Sequence, residues 1–130
     1  MFKIMHTAED KDINHGGHLD FVKITSLFSQ LRSDFFRAKD IADIDEYGLG
    51  FISTNISIDL ISEVKLGELM MIELTKVTRK LLKISFHISA TNIENSKIAA
   101  RGIITMVPFN YKTRRPVRLA PFHPLKKIIQ

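Results

Sequence analysis

The chain has 130 residues, 45% hydrophobic and 25% charged, with a formal net charge of +5 and no cysteine. That length suits one domain, residues 1–130, with enough chain to bury a single core. The lack of cysteine excludes disulfides, thiolate metal ligands and a cysteine nucleophile, and fits a cytosolic (cytoplasmic) setting; no membrane helix or secretory signal is expected.

In chain order, Phe2 to Thr7 alternates, with Phe2, Ile4 and His6 on one face, and reads as a short first strand. The stretch Asp10 to Phe21 then gathers Asp10, Asp12, Asp20, Asn14, His15, His18 and the pair Gly16-Gly17. Two roles are open for it. It is either an Asp- and Asn-rich loop that caps the next helix, or a polar site in which a carboxylate faces a helix N-terminus. The adjacent glycines permit a close backbone approach in the second case.

A helix is expected from about His18 to Lys39. Phe21, Ile24, Leu27, Phe28, Leu31 and Phe35 recur at three- and four-residue steps, with Lys23, Ser26, Gln30, Ser33 and Arg37 on the opposite side. No Pro or Gly interrupts this span, so it allows about five to six turns. Tyr47-Gly-Leu-Gly50 breaks the pattern.

From Phe51 the period becomes two. Ile52, Ile56, Ile58 and Leu60 alternate with Ser53, Asn55, Ser57 and Asp59, as in a half-buried strand. Leu69 to Arg79 and Leu81 to Asn92 read as two further strands joined by a tight hairpin at Arg79 and Lys80. Ile98 to Tyr111 is a last long strand, apolar on both faces, hence a central strand or a subunit contact. Pro116, Pro121 and Pro124 predict an irregular, extended tail. Consecutive strands with short turns pair antiparallel, and one helix is available to cover them. The expected fold is α+β, a five-stranded antiparallel sheet wrapped around one long central helix. An open sheet edge and a doubly apolar strand predict a homodimer.

Much of the basic excess lies in the tail, at Lys112, Arg114, Arg115, Arg118, Lys126 and Lys127. No nucleic-acid-binding motif accompanies it, so a phosphorylated small ligand is the better match and no nucleic-acid partner is expected.

Three segments carry a family resemblance: Asp12-Ile-Asn-His-Gly-Gly-His-Leu19 leading into Ser26–Arg32, the order of one helix and four strands with Gly67 before the second, and Ala99–Gly102 running to Met106–Val117. Together they resemble the hotdog-fold acyl-CoA thioesterases of the 4-hydroxybenzoyl-CoA thioesterase-like superfamily. The resemblance implies hydrolysis of an acyl-CoA thioester, with no metal and no cofactor beyond the coenzyme A of the substrate. It implies a homodimer that can pair into a homotetramer, with the active site at the subunit interface. Asp12 matches the family's nucleophile or general base, and Gly17, His18 and Leu19 fall where backbone N–H groups polarise the thioester carbonyl. Asn14 then orients water or the carbonyl, His18 contacts loop or substrate, and Phe21 joins Gly17 and Leu19 as a substrate- or oxyanion-binding position. Arg79, Lys80, Lys112, Arg114 and Arg115 are candidates for the coenzyme A phosphates, and Met70, Met71 and Met106 for an acyl channel.

Two positions depart from the family pattern: Gln30 stands where a helix Glu is common, and Asp20 where Asn or Gly is. They motivate a second reading, a non-catalytic acyl-CoA-binding module. A third, an acyl-thioester hydratase or dehydratase, would use His15 or His18 with a carboxylate.

Overall fold

Period-two patterning becomes strand and the three/four-residue stripe becomes helix in the computed structural model, which describes residues 1–130. The order is β1 (Phe2–Thr7), α1 (Phe21–Ala38), β2 (Leu49–Leu60), β3 (Leu69–Lys80), β4 (Lys83–Asn92) and β5 (Lys97–Asn110). A two-residue β6 (Arg115–Pro116) adds to the end of β5. All pairings between these strands are antiparallel, and the order across the sheet is β1-β3-β4-β5-β2. β5 is therefore interior, between β4 and β2, while β1 and β2 are edges; β2 pairs with β5 and not with β3, its neighbour in the chain, against the expectation that consecutive strands pair.

α1 lies on the inner face. Ile24, Leu27, Phe28, Leu31, Phe35 and Phe36 are buried in one cluster with Ile72, Leu74, Ile84, Phe86, Ile88 and Met106. Phe35 and Phe36 meet Phe86 edge-on, with ring centroids 5.5 and 5.7 Å apart. Each such buried side chain contributes about 1.5–3 kcal/mol. Gly102 on β5 leaves room for the Phe28 ring of the helix: a Cβ there would stand 2.6 Å from the Ser57 carbonyl oxygen and 2.8 Å from that ring. Met70 and Met106 are fully buried in this core rather than lining a channel, and Met71 is half-buried on β3.

The structure corrects several sequence expectations. α1 begins at Phe21, not near His18, because the Asp20 side chain accepts the Val22 N–H at 3.3 Å and serves as N-cap. Phe21, expected in the apolar stripe, is 61% exposed at the first helical position. β2 is largely exposed rather than half-buried, and a bulge between Ser53 and Asn55 shifts its register against β5. The extra residue reverses the parity of the strand, so Phe51 and Ile58 both pack on the core although they lie an odd number apart. The β3–β4 turn falls at Leu81-Leu82, with Leu81 at φ 58°, not at Arg79-Lys80. The tail also returns to the body: Leu125 is fully buried in a short 3-10 turn, and the Gln130 N–H donates to the Val77 carbonyl.

Candidate active site

Short-range polar contacts shape the loop between β1 and α1. Asp10–Asp12 forms one 3-10 turn, after which Ile13 and Leu19 pair across a small bridge. The Gly17 N–H donates to the Asn14 carbonyl at 3.0 Å, and the Gly16 N–H to Asn14 Oδ1 at 2.9 Å. Gly17 takes φ 84°, which a side chain would strain. A Cβ on Gly16 would come within 3.2 Å of Asn14 Oδ1 and 3.4 Å of His18 Nε2, so both polar groups close over that glycine. The loop is tied down where the Asp20 N–H donates to the Asp12 carbonyl at 2.9 Å and the Leu19 N–H to the Val64 carbonyl at 2.7 Å.

Asp12 points inward. Its side chain is 3% exposed, and Oδ2 accepts from His6 Nε2 at 2.8 Å and from the Glu9 N–H at 3.0 Å. Oδ1 faces Lys23 Nζ at 3.7 Å. Burial alone would push the carboxyl up. The Glu9 N–H, the His6 side chain and the Lys23 charge outweigh that, holding it below the ordinary carboxylate value. A buried charge is retained only where donors and opposite charge surround it, and here three elements supply them: β1 (His6) and the loop (Glu9) donate, and α1 brings the Lys23 charge.

The site residues named from the sequence thus fall in one segment but in different settings. Asp12 and Leu19 are buried, Asn14 and His18 are half-buried, and Gly17 and Phe21 are exposed. Between Gly17 and Val22, only the N–H groups of His18 and Phe21 have no acceptor, since Gly17, Leu19, Asp20 and Val22 all donate within the chain. Asp20, the extra carboxylate, is occupied as the helix cap.

Sequence reasoning missed His6 and Lys23 as partners of Asp12. The inward phase of β1 already put His6 on the face of Phe2 and Ile4. Lys23 read as solvent-facing because helical position alone does not reveal a carboxylate beside the first turn.

The cationic candidates do not converge on this loop. Arg79 and Lys80 end β3, whose other end, Leu69, pairs with Thr7 beside the loop. Arg114 stacks between Phe109 and Tyr111, 5.7 Å from each ring, Arg115 lies on β6, and Lys112 reaches the Glu46 carbonyl at 3.4 Å. All five sit at the opposite end of the sheet from Asp12.

Several solved structures share this fold. Slr0204, a 1,4-dihydroxy-2-naphthoyl-CoA thioesterase from Synechocystis, is 14% identical with a TM-score of 0.81, over 92% of this chain and 89% of that one. SAV2348 from Staphylococcus aureus, solved in complex with CoA, is 17% identical with a TM-score of 0.81, over 92% of this chain and 76% of that one. YbaW, a probable thioesterase from Escherichia coli, is 14% identical with a TM-score of 0.76, over 90% of this chain and 89% of that one. At such identities the likeness establishes the hotdog fold alone. No curated protein matches the sequence. Residues 9–124 match the family's own sequence pattern, which takes in the Asp12 loop, the helix and the sheet, and on that match the chain belongs to the thioesterase-like superfamily.

Proposed function

We propose that the protein hydrolyses an acyl-CoA thioester to the free acid and coenzyme A, with Asp12 as the carboxylate that activates water. The observation that carries this reading is the Asp12 carboxylate, ionised and held at the entrance of α1 by two donors, His6 and the Glu9 N–H, and by the Lys23 charge. Its 3% exposure favours the general-base role over the nucleophilic one. Direct attack needs a carbonyl carbon within about 3–3.5 Å of a carboxylate oxygen, which requires an open face. A water is smaller, and Oδ1 accepts no hydrogen bond in the chain, so it has a lone pair for the water proton.

The remaining roles follow from which donors are free. The thioester oxygen would accept from the N–H groups of His18 and Phe21, each worth about 3–4 kcal/mol to the developing oxyanion. Asn14 Oδ1 accepts from the Gly16 N–H, which leaves its amide NH2 to donate to the water or the carbonyl. His6 is a positioning residue that fixes Asp12. Water adds to the carbonyl carbon as Asp12 takes its proton; the tetrahedral intermediate then collapses, the carbon–sulfur bond breaks, and the thiolate of coenzyme A leaves and receives that proton from Asp12. Coenzyme A as carrier is favoured by the CoA complex of SAV2348.

The assembly proposed with it is a homodimer through the free edge of β2, with a homotetramer as a further step. That edge is 12 residues long, and Ile56 and Leu60 beside it are 44% and 58% exposed.

One observation favours a second reading, a non-catalytic acyl-CoA-binding module: Asp12 already has its strongest contacts inside the protein. A panel of acyl-CoA substrates with a thiol reagent separates the two. Steady thiol release from at least one substrate supports hydrolysis. Calorimetric binding of the same substrates without thiol release over hours rejects it and leaves the binding module.

A further inference from the structure

At the end of the sheet opposite the Asp12 loop, two large apolar side chains stand almost wholly in solvent. Leu81 in the β3–β4 turn and Phe122 in the C-terminal tail are each 88% exposed. Leu81 holds φ 58°, a left-handed conformation that disfavours a leucine, so neither backbone geometry nor burial accounts for that residue there. Leu81, Leu82 and Pro121 line one recess of about 600 Å³, which sets the hairpin beside the tail. The tail is not loose, because buried Leu125 and the Gln130–Val77 hydrogen bond hold it to the sheet. The surroundings are basic. Lys80 and Lys83 bracket the turn, and Arg118, Lys126 and Lys127 stand on the tail. None of these five forms an ion pair, and none donates a side-chain hydrogen bond within the chain. Residues 74–93 and 95–130, which supply the hairpin, most of β5 and the tail, contain no acid. Asp40 and Asp45 share a second cavity with Phe122 and Arg118, and the acid-free surface ends on that side.

We propose that this end of the molecule docks on an anionic lipid surface, with Leu81, Leu82 and Phe122 entering the headgroup layer and the five cations meeting lipid phosphates. Apolar side chains that enter the interface and basic residues drawn to anionic headgroups act together in binding of this kind. The shape favours lipid over an acidic protein. The apolar tips project from two separate turns across an open recess, so a folded partner would need a continuous face cut to match both. A fluid layer conforms to the tips and fills the recess between them. The inference goes beyond the thioesterase reading and does not rest on it, and its test involves no turnover.

The test is co-sedimentation of the full chain with vesicles of two compositions, pure phosphatidylcholine and an equimolar mixture of phosphatidylcholine and phosphatidylglycerol. The wild-type protein should sediment with the mixed vesicles and not with the neutral ones, and rising salt should release it. Leu81→Asn and Phe122→Ser should each weaken binding by about tenfold or more, because each removes one large apolar side chain from the interface. Lys83→Gln should weaken it by about fivefold, the usual effect of one basic residue at an anionic surface. Lys65→Gln, which removes the same charge at the opposite end of the sheet and several screening lengths away, should leave binding within about twofold. Asn tolerates the left-handed backbone of position 81, and Phe122 and Lys83 are exposed, so these variants should fold as the wild type does. Failure to bind the mixed vesicles overturns the proposal and leaves an acidic protein as the occupant. Equal binding to neutral vesicles, an equal loss in Lys65→Gln, or wild-type binding by both Leu81→Asn and Phe122→Ser would also overturn it.

Discussion

Removing the Asp12 carboxylate from water is unfavourable by several kcal/mol, and the chain offsets this with the Glu9 N–H, the His6 imidazole and the Lys23 ammonium. His6→Ala should therefore lower stability by about 1–3 kcal/mol in urea unfolding, because one partner of a buried charge is lost. The pH dependence follows from the same contacts. The folded carboxyl titrates below its ordinary 3.8, so the unfolded chain binds the proton first as acid is added. Its contribution is present above about pH 4 and is lost as pH falls through the folded value. Asp12→Asn should flatten that acid limb. Two histidines act at milder pH. Burial, aided by the Lys76 charge, holds His87 below its ordinary 6.5. Burial does the same for His123, against an opposing effect of Asp45. Both favour the neutral form in the fold, so stability should decline as pH falls below 6.5, and His87→Gln should reduce that slope in urea titrations at pH 7 and 5.

At the scale of elements, the Phe28 ring of α1 packs over Gly102 of β5. Gly102→Val should cost about 1–3 kcal/mol or more, because its side chain meets a backbone carbonyl as well as the Phe28 ring. Phe28→Ala should cost about 3–5 kcal/mol by leaving a cavity at the same contact. Both are read from urea midpoints. The helix stripe, the succession of strands along the chain and the doubly apolar character of β5 were legible in the sequence, since each rests on a repeating apolar pattern that must be buried. Three features were not. The β2 bulge is set by pairing with β5, which local alternation cannot reveal. The Leu81-Leu82 turn lacks the usual Gly or Asn, so composition pointed two residues too early. The tail's prolines hid the anchor at Leu125. At the site, the loop was legible as a polar cluster, but the inward turn of Asp12 toward His6 and Lys23 depends on elements distant from its own turn.

For the whole molecule, the exposed apolar residues of β2 and its unpaired edge point to one assembly. Sedimentation should report a homodimer at micromolar concentration, and Leu60→Lys or Ile56→Lys should shift it to monomer, since a charge in a buried sheet seam is costly. A wild-type protein that sediments as a monomer would remove the β2 edge as the contact. Pairing two antiparallel β2 edges about a two-fold axis sets the Leu60 end of one chain beside the Leu49 end of the other. In such a dimer the Asp12 loop of one chain would lie toward the cationic end of its neighbour.

The central claim is that Asp12 activates water for thioester hydrolysis. Its most direct test is the rate of thiol release from the best acyl-CoA substrate in wild type and in Asp12→Asn, with circular dichroism to establish that the variant is folded. Loss of the charge with the shape kept should lower kcat by about 10²–10⁴-fold, the range for a positioned general base. A folded Asp12→Asn protein that keeps the wild-type rate would contradict the claim.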